Sequence, residues 1–270
     1  MSDGEARQEY ETVRVVHRDG AARIELNRPE TMNAWNKQLG ADLLDAVSRA
    51  AQDGAVRAVA ITGNGRGFSS GADLKAGFDP TPDGHPDVGT VLHEVYHPII
   101  VAIRRMPKPV ISIVNGPAVG IGCSLALCCD LVIAAESAYF LLAFVNIGLV
   151  PDGGSSLLVP ARIGHARAAE LAMLGERLPA TRALEWGLIN RVHPDGELAA
   201  EADALVAHLA AGPTLSYAGT KRQLNAWIYS GMEEQLALEA DIQQEQAKTA
   251  DFQEGVTAFV QKRAPRFRGA

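Results

Sequence analysis

The sequence predicts an α/β fold, and three observations support this prediction. Short runs of apolar and β-branched residues alternate with segments of helical periodicity along the first two thirds of the chain. Several of these runs are almost entirely apolar, as in parallel strands that are covered on both faces. After about Pro194 the strand-like runs stop, and Ala, Glu, Gln and Leu dominate. This pattern is typical of successive βαβ units followed by a helical region.

Individual elements follow from local patterns along the chain. Leu39, Leu43 and Val47 recur on one side of a helical segment, which predicts an amphipathic helix packed on the sheet. Residues 77–90 are rich in Gly, Pro and Asp, which predicts a surface excursion that could act as a substrate lid. The predicted elements of the core are strands over 13–16 and 24–26, a helix over about 33–50, and strands over 56–61, 110–114 and 131–134.

The C-terminal part of the chain has the pattern of helices only. Gly212-Pro213 and Gly231 interrupt it, which predicts three or four helical stretches. We therefore predict two regions, an α/β core over residues 1–194 and a C-terminal helical subdomain over residues 195–270.

Composition and charge argue against several classes of protein. The chain has 270 residues, a hydrophobic content of 47% and a formal net charge of −7, which suits a globular protein with one large domain. Phosphate binding needs clustered Lys and Arg, which this acidic balance does not favour. We therefore predict that the protein binds neither nucleic acid nor an anionic membrane surface.

The sequence also favours a reduced, cytoplasmic setting. Cys123, Cys128 and Cys129 crowd into one apolar run, which is a poor framework for disulfides. The segment Met1–Arg7 lacks the apolar region of a signal peptide, and no uninterrupted apolar stretch of about 18 residues occurs. We therefore predict neither export nor a membrane span.

Two glycine-rich loops carry the strongest functional signal. The first covers residues 61–75 and the second residues 115–123, and each follows an apolar run where a helix is predicted to begin. Amides at a helix N-terminus carry the positive end of the helix dipole, and glycines let the backbone approach closely. Two such amides converging on one oxygen would form an oxyanion hole.

Six ordered motifs, the two glycine loops included, extend this signal over nearly the whole chain. They are residues 26–34, the two glycine loops, residues 129–131, residues 147–154 and residues 259–263. Together they resemble the crotonase superfamily, the enoyl-CoA hydratase/isomerase family. The resemblance implies a ClpP/crotonase-like spiral core of repeated ββα units with a C-terminal helical trimerisation region. It also implies an acyl-CoA substrate of fatty acid metabolism, no metal or redox cofactor, and a homotrimer or dimer of trimers.

The resemblance assigns roles to individual positions. It implies that the backbone amides of Ala72 and Ile121 are the oxyanion donors, although Ile121 replaces the glycine that is usual there. It implies that Phe259 and Lys262, at the C-terminal helix, reach the nucleotide of coenzyme A. The two residues fit an ordinary amphipathic helix equally well. Asp73 and Asp130 are predicted to brace loops rather than react. The positions implied to bind the coenzyme A thioester are Arg28, Ala34, Ala72, Asp73, Leu74, Lys75, Ile121, Phe144, Phe259 and Lys262.

Asp152 is the candidate catalytic side chain. It stands in a Pro-Asp-Gly-Gly-Ser turn just before a predicted helix, where an aspartate is most often an N-cap. In the crotonase resemblance, the acid/base carboxylate of several isomerase branches occupies this position. Both interpretations remain open from the sequence.

The two glutamates of the hydratase branch are missing, because the matched positions are Ser124 and Phe144. Hydration needs one group to activate water and another to protonate carbon, whereas an allylic isomerisation needs only one carboxylate. We therefore predict an enoyl-CoA isomerase with Asp152 as acid and base. The alternatives are an enoyl-CoA hydratase, attack by Asp152 as a nucleophile on an aryl or strained-ring thioester, and a non-catalytic acyl-CoA binding protein.

The segment His93-Glu94-Val95-Tyr96-His97 matches the His-Glu-x-x-His pattern of zinc proteases. Pro98 follows directly and disfavours a helical conformation at His97, and no further ligand completes the pattern. We therefore predict no zinc site, and expect a helix beside the acyl pocket from which His93 or Glu94 could touch substrate.

Overall fold

A seven-stranded sheet and a three-stranded sheet form the core of the computed structural model, which describes residues 6–270. We predict no signal peptide in the segment Met1–Arg7, and the first five residues of this segment lie outside the described residues. The strands in chain order are β1 (Ala6–Glu9), β2 (Val13–Arg18), β3 (Ala21–Leu26), β4 (Ala58–Gly63), β5 (Val110–Val114), β6 (Ala118–Val119), β7 (Leu131–Ala135), β8 (Tyr139–Leu141), β9 (Leu178–Pro179) and β10 (Arg191–His193).

The large sheet has the order β1-β2-β3-β4-β5-β7-β10, and the small one the order β6-β8-β9. Strands β1 to β3 pair antiparallel, whereas β3, β4, β5, β7 and β10 run parallel. Every residue of β5 is buried, including Ser112, as its otherwise apolar sequence predicts. The predicted core strands are confirmed, with the bounds of 110–114 unchanged and the others differing by at most three residues.

Helices cover the sheet and form the C-terminal region. Short 3-10 turns lie at Pro29–Thr31 and Val145–Ile147, and a π-helical turn lies at Leu92–Tyr96. The α-helices are α1 (Lys37–Gln52), α2 (Val88–Val91), α3 (His97–Arg105), α4 (Ile121–Cys128), α5 (Ser155–Leu174), α6 (Ala180–Trp186), α7 (Leu198–Ala211), α8 (Thr214–Ile228), α9 (Met232–Gln246) and α10 (Ala250–Val260).

The first helix begins later than residue 33, where the sequence pattern placed its start. Asn36 is its N-cap and accepts a hydrogen bond from the Leu39 amide at 2.9 Å. Asn33 instead adopts a left-handed conformation, and its Nδ2 donates to the Gly67 carbonyl at 2.9 Å. The residues before the helix therefore hold the first glycine loop.

The C-terminal region contains four helices, α7 to α10, and two of its breaks lie at the predicted positions, Gly212-Pro213 and Gly231. The third break, at residues 247–249, separates α9 from α10. Helix α8 is tied to the core by Lys221, whose ammonium pairs with Asp130 at 2.8 Å. Arg104 of α3 also pairs with Asp130 at 3.0 Å, so that this aspartate braces a loop as predicted. Within residues 6–270, no helix is long and apolar enough to cross a membrane.

Candidate active site

An apolar cavity of about 310 Å³ lies between the two glycine loops and the turn that contains Asp152. Aliphatic and aromatic side chains form most of its wall, and Phe78 and Val88 of the surface excursion contribute to it. A larger cleft, of about 780 Å³, lies between α3 and α8 and contains no predicted site residue. The predicted site residues that line the apolar cavity are Ala72, Leu74, Ile121, Phe144, Asp152 and Phe259.

The two glycine loops touch each other beside this cavity. Gly71 and Gly120 both have positive φ, at +89° and +53°, a conformation that glycine adopts without strain. A Cβ on Gly71 would lie 3.0 Å from the Val119 carbonyl oxygen, so only glycine fits there without a shift. The Ser69 amide donates to the Pro117 carbonyl at 3.0 Å and joins the loops.

The amides of Ala72 and Ile121 are left without a hydrogen-bond acceptor in the described part of the chain. On either side of Ala72, the Gly71 carbonyl and the Asp73 amide bond to the backbone of Trp35, at 2.8 and 2.9 Å. Ile121 is the first residue of α4, where amides have no partner within the helix. Both residues line the same cavity, so the two N–H groups are available to a bound oxygen.

Asp152 is buried at the cavity wall, with 4% of its surface exposed. Its Oδ2 accepts a hydrogen bond from Nε2 of Gln243 at 2.7 Å, and its Oδ1 has no partner in the described residues. The amides at the start of α5 bond to Glu239 instead, from Gly154 at 2.8 Å and Ser156 at 3.0 Å. Asp152 is therefore not the N-cap that its sequence position allowed, and one of its oxygens is free.

The environment of Asp152 favours its protonated form. Burial raises the pKa of Asp152 well above its usual range, and the nearby carboxylate of Glu239 raises it further. The hydrogen bond from Gln243 acts in the opposite direction and lowers the pKa. A carboxylate with a raised pKa accepts a proton more readily, which suits a base that works on carbon.

The buried Glu239 is expected to make the free energy of unfolding depend on pH. Burial raises the pKa of Glu239 from 4.5 to about 7, so between these values the native state holds a proton that the unfolded state has lost. Its stabilising contribution is therefore present below pH 4.5 and is lost as the pH rises through 7. Relative to Glu239→Gln, the wild-type free energy of unfolding is expected to fall by about 3 kcal/mol over this range. Urea unfolding at several pH values measures the difference, and parallel curves for the two proteins would contradict it.

Ser124 stands where the first glutamate of the hydratase branch is missing, and its side chain bonds to the backbone of the turn that contains Asp152. The Ser124 hydroxyl donates to the Asp152 carbonyl oxygen at 2.7 Å, and the Ser155 hydroxyl donates to the same oxygen at 2.8 Å. Phe144, at the second missing glutamate position, lines the cavity. Neither side chain is placed to deprotonate a water molecule.

A stability prediction follows for Ser124. We expect Ser124→Ala to lower the free energy of unfolding by about 1 kcal/mol, because the Asp152 carbonyl keeps its bond from Ser155. Chemical denaturation measures the change, with Thr257→Ala, which removes an exposed hydroxyl, as control. An unchanged free energy for Ser124→Ala would show that the bond contributes nothing.

Several residues of the coenzyme A prediction lie outside the cavity wall. The Arg28 guanidinium donates to the Ala34 carbonyl at 2.5 Å and pairs with Asp73 at 3.1 Å, which braces the first loop. Lys75 and Lys262 are exposed. Their role in binding coenzyme A stays a prediction.

The His-Glu-x-x-His segment contributes Tyr96 rather than histidines to the cavity. His93 and Glu94 are exposed and do not line it. His97 is helical despite the following proline, at φ −62° and ψ −41°, because the π-helical turn leads directly into α3. The expectation of a non-helical His97 is therefore wrong. Within residues 6–270, no group of three His, Cys, Asp or Glu side chains could hold a metal ion.

Comparison with known proteins identifies the family. The family model described as enoyl-CoA hydratase/isomerase matches residues 17–270. The chain belongs to the enoyl-CoA hydratase/isomerase family.

Relatives that cover more than nine tenths of the chain support this membership. The 1,2-epoxyphenylacetyl-CoA isomerase of Escherichia coli K12 is 42% identical over 251 residues, which cover 93% of this chain and 95% of that protein. A Rhodobacter capsulatus protein named probable enoyl-CoA hydratase is 44% identical over 260 residues, covering 96% and 99%. The crystal structure of an enoyl-CoA hydratase from Mycobacterium avium subsp. paratuberculosis K-10 matches with a TM-score of 0.88 and 41% identity, covering 96% and 100%.

These matches confirm the crotonase-like fold and an enzyme of enoyl-CoA hydratase/isomerase function. The sequence did not identify Gln243 and Glu239 as residues of the site. Gln243 contacts Asp152, and Glu239 contacts the turn that follows it. Helix α9 is rich in Glu and Gln, so no local pattern marks these two as buried. The sequence marks Tyr96 only as part of the histidine motif, although its buried ring lines the cavity.

Proposed function

We propose that the enzyme isomerises a 3-enoyl-CoA to the conjugated 2-enoyl-CoA through a dienolate, with Asp152 as the only acid and base. One observation carries the proposal. Among the described residues that line the cavity, Asp152 is the one carboxylate, and its Oδ1 has no hydrogen-bond partner.

The proposed reaction moves one proton. Asp152 removes a proton from C2, and the electrons of that C–H bond pass into the thioester to form a dienolate oxygen. The amides of Ala72 and Ile121 donate to this oxygen, each stabilising the developing charge by about 3 kcal/mol. The protonated Asp152 then returns its proton at C4, which leaves the double bond conjugated with the thioester.

Hydration is less well supported by the geometry. It needs a base that activates water together with an acid that protonates C2. The Ser124 hydroxyl is engaged with the Asp152 carbonyl, and Phe144 has no titratable group. A hydratase would therefore have to carry out both steps with Asp152 alone.

The Escherichia coli relative supports a second candidate function. It is named 1,2-epoxyphenylacetyl-CoA isomerase, so this chain could act on a strained-ring thioester in the same cavity. In that case Asp152 could be a nucleophile that forms an ester with the substrate. Mass measurement of the intact, acid-quenched protein would detect such an ester, whereas a proton shuttle leaves the mass unchanged.

The remaining predicted residues are proposed to bind the coenzyme A end of the substrate. We propose that Ala72, Asp73, Leu74 and Lys75 follow the thioester and pantetheine. The residues proposed to complete the coenzyme A site are Arg28, Ala34, Phe259 and Lys262. No cofactor beyond the coenzyme A thioester is proposed.

We further propose a cytoplasmic homotrimer or dimer of trimers. Large apolar side chains exposed on α8 support an interface between subunits, and Trp227 is 86% exposed. The other large apolar side chains exposed on this helix are Leu215, Leu224 and Ile228. Light scattering of the purified protein measures the mass of the assembly, and a monomer would contradict the proposal.

Comparing the two reactions in one sample tests the function. We expect proton NMR to show a 3-enoyl-CoA converted to 2-enoyl-CoA, with little 3-hydroxyacyl-CoA formed from added 2-enoyl-CoA. Faster hydration than isomerisation would favour the hydratase. If the protein bound both thioesters and converted neither, it would be an acyl-CoA binding protein.

A further inference from the structure

Two side chains of α9 hold the Asp152 turn from both sides. Gln243 donates from Nε2 to the Val150 carbonyl at 2.8 Å and to Asp152 Oδ2 at 2.7 Å. Glu239 lies one helical turn earlier and accepts from the amides of Gly154 and Ser156. Because residues four apart share one helix face, α9 presents both groups to residues 150–156.

Glu239 is an unusual group to bury. It is 2% exposed, and no Lys or Arg pairs with it among residues 6–270. Its partners are the two amides and the hydroxyl of Ser156. A buried carboxylate without a cation is costly, and its hydrogen bonds offset only part of this cost.

We propose that Glu239 is a positioning residue for Asp152: it anchors the turn that carries Asp152 and places a second negative charge behind it. The anchored turn places Asp152 at the cavity wall, where Gln243 engages Oδ2 and Oδ1 has no partner in the described residues. The negative charge makes removal of the proton from Asp152 less favourable, and so makes Asp152 a stronger base.

Few other groups face Asp152. Tyr96 lies near it on the π-helical turn, and burial and the Asp152 charge both raise the pKa of this phenol, so it stays neutral. Helix α4 contributes the uncharged Ser124, and α9 contributes the uncharged Gln243. Of these groups, Glu239 is the one that carries a charge, and its charge raises the Asp152 pKa.

The test is an NMR titration of protein labelled with carbon-13 at the aspartate carboxyl groups. Asp152→Asn assigns the Asp152 signal by its loss. In Glu239→Gln, we expect the titration midpoint of Asp152 to fall by on the order of one pH unit. Glu245→Gln, which removes an exposed charge from the same helix, is the control and is expected to leave the midpoint unchanged. An unchanged midpoint in folded Glu239→Gln would overturn the proposal.

The wild type alone provides a second measurement if Glu239→Gln does not fold. Interacting carboxyl groups titrate together, so the Asp152 signal is expected to show an additional inflection near pH 7, where Glu239 ionises. A single inflection elsewhere would overturn the proposal without any substitution.

The kinetic consequence rests on the proposed isomerase function. If Asp152 is the base, the acid limb of the pH profile of kcat/KM moves to lower pH in Glu239→Gln by the same shift as the NMR midpoint. A shifted midpoint in a protein without isomerase activity would refute the proposed function and leave the role of Glu239 intact. A purely structural role would lower stability and leave both pH curves in place.

Discussion

Asp152→Asn is expected to lower kcat for isomerisation of a 3-enoyl-CoA by about 10³-fold or more, because positioned acid–base groups contribute 10²- to 10⁴-fold. Asparagine keeps the size of the side chain and an oxygen that can accept the bond from Gln243. It cannot accept the C2 proton. The KM for the thioester is expected to change little, since the proposed oxyanion donors and the cavity wall remain.

Two controls make this result specific. Asp241→Asn changes an exposed aspartate on α9 and is expected to retain wild-type activity. Thermal unfolding shows whether Asp152→Asn is folded. A folded Asp152→Asn protein that still isomerises within tenfold of the wild-type rate, against the loss expected for a missing base, would show that another group moves the proton.

The second large effect is expected for Gly71→Ala, with a loss of about 10²-fold in kcat. The new methyl group would lie 3.0 Å from the Val119 carbonyl oxygen, and φ is +89°. The loop must therefore move, and the Ala72 amide moves with it. Losing one donor to a developing oxyanion costs 10²- to 10³-fold in a comparable site. Steady-state kinetics with a 3-enoyl-CoA measures the effect.

Gly84→Ala separates loop geometry from backbone strain. Gly84 has a similar φ of +84°, but no atom lies within 4 Å of its Cβ position. Both variants carry a strained alanine, which costs about 1–3 kcal/mol of stability. We expect Gly84→Ala to keep its kcat. Equal losses in the two variants would mean that the Ala72 amide has no special role.

Much of the fold was predictable because its signals are local. The apolar run at Val110–Val114 is buried at every position, and the helix breaks at Gly212-Pro213 and Gly231 occur where predicted. The start of α1 was misplaced because Asn33 bonds to Gly67, which is distant in the sequence. Local periodicity contains no information about such a contact.

The site was predictable only in part, for a similar reason. Ala72, Ile121 and Asp152 line one cavity, as the family resemblance implied. Whether Asp152 was an N-cap or a free carboxylate depended on Glu239, which takes the helix amides from 85 residues away. The identity of Gln243 as the partner of Asp152 likewise depends on how α9 packs. Polar residues on a helix rich in Glu and Gln give no sign of which are buried.

The most direct test of the proton shuttle by Asp152 follows a deuterium label placed at C2 of a 3-enoyl-CoA, with the reaction run in ordinary water. Asp152 is almost fully buried, so we expect its deuteron to return to C4 before it exchanges with solvent. NMR of the first product formed is therefore predicted to show the conjugated thioester with deuterium at C4. An unconverted substrate, or a product whose new C4 hydrogen comes only from solvent, would contradict a single Asp152 carboxylate that removes and returns the proton.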